Sequence, residues 1–318
     1  MGVYLFCAFG LNFLLINFFK LVACVYRPWI LSDKIQPVTE AITHARNYSF
    51  PSGHSSTSSS VLGSCAYLLK KKKILCILLI LLVLCVGFSR LYLGVHTPQD
   101  VMVGLLIGFS LVFISNMILN WADKDKKRYI HLIMFIDVLA LLALLYLYCF
   151  NVYPVDYING ELLVDSKIQL HIGVCTYGYA LGLINGVLLI ERFFNFDPKS
   201  YSFKKRILSG LIGGILLIVL VKTVCSMAYN PSYNSFVSFC MTFFTGFFVT
   251  AIYPFVIGVL CYFTLLRNTN NALAILSSLM VASMTLANLV SSFTNTITSI
   301  QIDALETKIP FEVLEKIS

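Results

Sequence analysis

Long apolar runs separated by short polar breaks set the expected elements of this chain. The runs extend from about Val3 to Tyr26, Ile74 to Phe88, Pro98 to Trp121, Tyr129 to Phe150, Ile168 to Leu189, Ile207 to Met227, Phe236 to Leu266 and Ala272 to Phe293. At about 1.5 Å per helical residue, most of them can cross a hydrocarbon layer. One further helix, from Ser52 to Leu69, has a different texture. Its Ser-Ser-Thr-Ser-Ser-Ser stretch is ill suited to lipid but suits close helix packing. About nine spans result. The segment from Trp29 to Phe50, with Pro37 and several charges, reads as an extramembrane loop. The tail from Thr294 is amphiphilic, and its Ala304 to Ile317 stretch can form a short surface helix. The expected fold class is therefore all-α, a polytopic helical membrane protein.

Composition agrees. Of 318 residues, 58% are hydrophobic and 12% charged, and the mean hydropathy is +0.84. A soluble domain is nearer half apolar and a quarter charged. The net charge of +8 sits mostly in short clusters between apolar runs, where membrane topology accounts for it, and nucleic acid is not an expected partner. The ten cysteines fall in or beside apolar runs without a CxxC pair, and read as small buried hydrophobes. The N-terminus has no basic n-region or small-residue cleavage site, so no signal peptide is expected, and Phe6 argues against a myristoylation signal.

Charge also orients the chain. The clusters Lys70–Lys73, Lys124/Lys126/Lys127/Arg128 and Arg192/Lys199/Lys204/Lys205/Arg206 occupy alternate breaks, which places those breaks in the cytoplasm. The segment from Asn151 to Ser166 lacks Lys and Arg and carries Asp156, Glu161 and Asp165. On this assignment Arg27, His54, Arg90 and His96 share the extracytoplasmic ends of their helices.

Those residues carry the candidate chemistry. Lys20 and Arg27 are seven apart, two helical turns, and would share a face. Snorkelling at a helix end explains such a pair about as well as anion binding does. Pro51-Ser52-Gly53-His54 precedes a helix, whose first N–H groups and dipole favour an anion, with Gly53 allowing close approach. Taken alone, an ordinary capped turn explains it better. Ser89-Arg90 adds a planar guanidinium fork, and His96 and Asp100 stand at i and i+4, where the carboxylate can orient the imidazole. Thr97, Pro98 and Asp100 also form a near-ideal helix start, so Asp100 can serve either purpose. Asp137, inside an apolar run, is read as a hydrogen-bonded packing residue ahead of a functional one.

In order and spacing these three stretches are the signatures K-x6-RP, PSGH and SR-x5-H-x3-D, as Lys20/Arg27/Pro28, Pro51/Ser52/Gly53/His54 and Ser89/Arg90/His96/Asp100. The chain thus resembles the type-2 phosphatidic acid phosphatase superfamily, which includes lipid phosphate phosphatases and vanadium haloperoxidases. The resemblance covers about Val3 to Trp121 and leaves the C-terminal apolar half unexplained. It implies a phosphatase helix-bundle core over 1–128, additional transmembrane helices over 129–293 and an amphiphilic tail over 294–318. Membrane members usually carry two spans ahead of the K-x6-RP helix. Here either the sequence starts at an internal methionine or later helices fill that place.

The resemblance also implies roles. His96 would be the nucleophile, Asp100 its orienting partner and His54 the proton donor to the leaving group. Lys20, Arg27, Arg90, Ser52 and the Gly53 amide would bind the phosphate, with no metal and no cofactor. The implied protein hydrolyses lipid phosphates or pyrophosphates, such as undecaprenyl pyrophosphate, phosphatidate, phosphatidylglycerophosphate or sphingoid phosphates, in a bacterial cytoplasmic membrane. The alternative is a lipid-binding or lipid-transporting pseudoenzyme that keeps the fold; a vanadate-dependent oxidase would be expected to be soluble. Which lipid is used and the oligomeric state are not encoded legibly.

The charge pattern makes one expectation directly testable. In intact cells an impermeant thiol reagent should label a cysteine placed at position 34, but not one at position 71. The reverse pattern would overturn the orientation.

Overall fold

A computed structural model describes residues 2–42, 45, 47–158, 161–193, 215 and 218–254. The helices are α1 (Gly2–Ala23), α2 (Pro28–Leu31), α3 (Thr39–Ile42), α4 (Gly53–Leu68), α5 (Lys73–Tyr92), α6 (Pro98–Ala122), α7 (Lys127–Cys149), α8 (Ser166–Phe193), the short α9 (Ile218–Ala228) and α10 (Ser235–Phe247). Phe248–Ile252 continues α10 as a wider π-type turn. Six stretches among the described residues are long and apolar enough to cross a membrane. The expected span from Ala272 to Phe293 and the 294–318 tail lie outside the described residues. The fold is all-α apart from a minimal antiparallel hairpin, β1 (Tyr157–Ile158) with β2 (Glu161–Leu162), in the loop after α7.

Helix α1 is the axis of the bundle. It packs against α4 and α6 on one side and against α7 and α8 on the other. One hydrophobic cluster joins its Tyr4, Phe6, Phe9 and Leu14 to Val61 and Val112 and also to Tyr177, Ala180 and Ile184 of α8. That cluster thus runs from α1, α4 and α6 into α8, which is the most buried candidate span among the described residues.

Glycine and serine set how closely these helices approach. On α6, a Cβ at Gly104 would meet the Ser52 carbonyl at 2.6 Å, and one at Gly108 would meet the Ser56 carbonyl at 2.4 Å. The serines of α4 fill the seam: Ser55, Ser56, Ser59, Ser60 and Ser64 are all fully buried. Asn12 of α1 ties into the same seam, donating to Thr57 Oγ1 at 3.1 Å and accepting from Ser56 Oγ. A second stripe, Gly178, Gly182 and Gly186 on α8, receives α10. There a Cβ at Gly182 would lie 2.1 Å from the Phe243 carbonyl oxygen. With little hydrophobic gain available between helices in lipid, such backbone contact is what holds a pair together.

Polar side chains also tie segments distant in sequence together. Asn185 of α8 donates to both carboxylate oxygens of Asp137 on α7, each at 3.0 Å, a helix-to-helix tie inside the apolar layer. The loop after α7 is fastened over the end of α1: Asn151 donates to the Leu21 carbonyl at 2.9 Å, and Tyr26 donates to Asp156 at 2.8 Å. Among the described residues the nine cysteines are free, but Cys85, Cys149 and Cys240 are exposed on helix surfaces rather than buried as expected.

The glycine stripe predicts a graded response. Gly182→Ala places a methyl into backbone, and overpacking of this kind destabilises by about 1–3 kcal/mol. At Gly87 the nearest atom to an added Cβ is the movable Val101 Cγ1 at 3.1 Å. There the helix-propensity gain of about 1 kcal/mol offsets the crowding. Thermal unfolding in detergent should show a clear loss for Gly182→Ala and little change for Gly87→Ala. Equal stability of the two variants would refute the packing argument.

Candidate functional site

Three chain segments converge at one end of the bundle. The first is the end of α1, which stops at Ala23, with Cys24 at a positive φ of 47°. Arg27 then adopts an extended conformation ahead of Pro28, as a residue before proline should. Lys20 and Arg27 are therefore not on one continuous helical face, contrary to the expectation from their spacing. The turn after α1 brings them together instead.

Arg27 is buried and Lys20 half-buried, and both are held by neutral oxygens. Lys20 Nζ donates to the carbonyls of Tyr48 at 2.7 Å and Ser49 at 3.2 Å. Arg27, only 5% exposed, donates from Nε to the Asn47 carbonyl at 2.8 Å and from NH1 to the Val95 carbonyl at 2.8 Å. A further Arg27 nitrogen, NH2, donates to the Asn47 side-chain oxygen. Carbonyl partners satisfy the N–H groups without cancelling the charges, so the positive field stays available to an incoming anion.

The second segment is the turn into α6. Thr97 caps the helix, accepting from the Asp100 N–H at 3.3 Å, while Asp100 Oδ2 accepts from the Thr97 N–H at 2.8 Å. The same Oδ2 lies 3.3 Å from His96 Nδ1. Asp100 thus does both jobs that the sequence allowed it, capping the helix and facing the imidazole. On the other side of the ring, Arg27 NH1 is 3.0 Å from Nε2. A guanidinium can only donate, so Nε2 must present its lone pair and Nδ1 must carry the proton.

The third segment is the start of α4. Ser52 is its N-cap and is fully buried; its hydroxyl oxygen accepts from Ser55 N at 3.4 Å and from Ser55 Oγ at 2.9 Å. Its own N–H donates to the Asp100 carbonyl at 2.9 Å, fastening α4 to α6. Gly53 faces the stem of Lys20, whose Cε would lie 3.9 Å from an added Cβ. His54, in the first turn, feels the charges of Arg90, Arg27 and Lys20. Arg90, in the last turn of α5, donates from Nε to Ser89 Oγ at 3.2 Å.

The structure thus places Lys20, Arg27, His96 and Asp100 in direct or single-residue contact, with His54, Gly53 and Arg90 around them. Ser52 is seen as a helix cap. Two further residues belong to the cluster, Asn47 on Arg27 and Ser49 between Lys20, His96 and Asp100. Sequence reading missed both because they lie in a segment that looked like plain loop. The only available signal was their position just ahead of Pro51. Among the described residues, no three His, Cys, Asp or Glu side chains gather as a metal site.

Two family models match the chain, "PAP2 superfamily" over residues 1–124 and "PAP2 superfamily phosphatase, transmembrane extension" over residues 174–261. Together they cover more than half of it, and the first spans all three signatures. The chain belongs to the PAP2 superfamily. The second match covers most of α8 together with α9 and α10, part of the region that the signatures alone left unexplained. Among curated proteins, phosphatidylglycerophosphatase B of Bacillus subtilis is 34% identical over 118 residues, covering 35% of this chain and 55% of that protein. Undecaprenyl-diphosphatase of Sulfolobus acidocaldarius is 33% identical over 114 residues, 36% of this chain and 53% of that protein. Undecaprenyl-diphosphatase BcrC of Bacillus subtilis is 34% identical over 127 residues, 38% of this chain and 61% of that protein. The chain therefore spans between half and two thirds of the length of these relatives. No solved structure matches.

The geometry fixes a sign for His96, which lies in the turn between two spans. Burial pushes its imidazole below the usual histidine range; the Asp100 hydrogen bond pulls it up, and the charges of Arg27 and Lys20 push it down again. The net shift is downward, so the ring is neutral at pH 7 and protonates only under more acidic conditions than a free histidine, near 6.5. Nitrogen-15 NMR of histidine-labelled protein should show the His96 midpoint well below that value. A midpoint at or above it would contradict the reading of the site.

Proposed function

We propose that the protein is an integral-membrane phosphatase that hydrolyses lipid phosphates or diphosphates through a phosphohistidine on His96. The observation that carries this reading is the polarity of the His96 ring, with Nδ1 toward Asp100 and Nε2 toward the guanidinium of Arg27. A nucleophilic nitrogen beside an uncompensated cation is where a phosphoryl group would be both held and attacked. Family membership and the relatives' names, which refer to phosphatidylglycerophosphate and undecaprenyl diphosphate, support the same chemistry.

In the proposed first step the Nε2 lone pair attacks phosphorus and the bond to the leaving oxygen breaks. His54 gives that oxygen its proton, and Asp100 stabilises the imidazolium by accepting from Nδ1–H. Lys20, Arg27, Arg90 and the Gly53 amide hold the equatorial oxygens, Ser52 adding its hydroxyl as α4 is approached. The three cations also act on His54, and a phosphate dianion bound among them offsets that repulsion. In the second step water attacks phosphorus as His54 takes its proton, the phosphorus–nitrogen bond breaks with its electron pair returning to Nε2, and phosphate leaves. Three cations already surround the transferring group, so the proposed reaction runs without a metal. The phosphatase core is assigned to residues 1–128, with the site opening on the extracytoplasmic face of a bacterial cytoplasmic membrane.

The two histidines can be separated by leaving group. General-acid help is typically worth about 10²–10⁴-fold. His96→Ala should abolish turnover of every substrate. His54→Ala should lose a factor in that range with a lipid phosphate, whose alkoxide needs the proton. With p-nitrophenyl phosphate its phosphorylation step should be much less affected. Single-turnover labelling of both variants with both substrates reads this out as acid-labile, alkali-stable phosphoenzyme. If His96→Ala still forms it and His54→Ala does not, the roles are reversed. Wild-type protein that binds lipid phosphates without turnover would instead indicate a pseudoenzyme.

A second check concerns chelation and analogue binding. Activity should survive EDTA, and vanadate should inhibit as a five-coordinate mimic of the transition state. Complete loss on chelation, restored by magnesium, would overturn the proposed metal-free chemistry.

A further inference from the structure

We infer that Ser49 is a positioning residue that fixes the reactive tautomer of His96 at the moment of attack. The inference rests on the assignment of His96 as nucleophile. The contact of Arg27 with Nε2 sets the tautomer as described, but it cannot persist once Nε2 bonds to phosphorus. From that point the ring must be held entirely from its Nδ1 side.

Two acceptors face Nδ1 there, and Asp100 Oδ2 is only one of them. Ser49 Oγ also lies 3.3 Å from Nδ1. The hydroxyl has a single proton, and it is directed at the Asp100 carboxylate 2.6 Å away. Toward His96, Ser49 can therefore only accept. Both groups facing Nδ1 are then acceptors, and neither favours a ring whose lone pair is on that side. At 3.3 Å the carboxylate contact alone is long for a charge-assisted hydrogen bond, which makes the second acceptor matter. When the Nε2–phosphorus bond forms and the leaving oxygen departs, the Nδ1 proton stays in place. Its positive charge is then shared between Asp100 and Ser49.

Ser49 is itself held rigidly. It is fully buried, its N–H donates to the Val25 carbonyl at 2.7 Å, and its carbonyl accepts from Lys20 at 3.2 Å. One residue thus sets the separation between a phosphate-binding cation and the nucleophile. Displacements of about 1 Å between reacting groups can lower rates by about 10²-fold.

The test combines a spectroscopic and a kinetic readout on the full chain. In wild type at neutral pH, nitrogen-15 shifts of labelled histidine, assigned against His96→Ala, should show protonated Nδ1 and unprotonated Nε2. With inorganic phosphate bound to draw Arg27 away from Nε2, wild type should keep this tautomer, whereas in Ser49→Ala the two should mix. The phosphorylation rate should fall about 10–100-fold with KM changed less than about 3-fold. Ser49→Thr, which restores a hydroxyl, should recover the wild-type tautomer and most of the rate, and it serves as second variant if Ser49→Ala does not fold. Unchanged tautomer and rate in Ser49→Ala would overturn the inference. So would a parallel change in kcat and KM with the wild-type tautomer, which marks a packing role. The tautomer readout needs no turnover, so a wild type inactive on every lipid phosphate would refute the proposed activity while leaving Ser49 separately decided.

Discussion

Burying positive charge without neutralising it is the constraint around which this structure is organised. A cation removed from water normally recruits a carboxylate, but a carboxylate on Lys20 or Arg27 would cancel the field that an anion needs. The chain solves this with carbonyl oxygens from Asn47, Tyr48, Ser49 and Val95. These satisfy hydrogen bonds while carrying no net charge. The requirement fits the unwinding of α1 before Arg27, the approach of residues 47–49 to both cations, and the closeness of the turn ahead of His96. The nearby carboxylate, Asp100, is committed to Thr97, Ser49 and His96.

The parts of this arrangement that rest on spacing were legible in the sequence. Apolar runs gave the helices, Thr97-Pro98 gave the start of α6, and i to i+4 spacing brought His96 to Asp100. The parts that rest on backbone carbonyls were not, because every residue has one and no side chain advertises which will be used. Asn47 and Ser49 fall in that class, as does the convergence of Lys20 and Arg27 through a turn rather than along a helix. The second glycine stripe could have been read. Gly178, Gly182 and Gly186 recur at intervals of four, the spacing of one helical face, as do Gly104 and Gly108. Ser52 is seen capping α4, a role that a serine at a helix start before a glycine suits as well as that of a ligand.

The site is also more tightly coupled to the scaffold than its signatures suggest. Asp100 completes the capping box of α6, and its carbonyl receives the Ser52 N–H from α4. Ring orientation and helix docking therefore draw on the same residue. Close backbone contact along Gly104 and Gly108 then keeps α4 and α6 from sliding. A small movement of either helix would be felt at His96 because little flexible side chain lies between them.

The shared core around α1 has a consequence for how such a protein could change over evolutionary time. If α7, α8 and α10 were an appendage, they could be lost or exchanged and leave a working catalytic half behind. Instead Gly10 faces Ile184 and Ala180, and Leu21 reaches Gly173, so the back of the site-bearing helix is shaped to fit α8. Deleting the later helices would uncover the flank of α1 around Gly10 and Leu21, and a replacement would have to fit both. The two matched regions of this chain are therefore bound to diverge together, each limiting the substitutions open to the other.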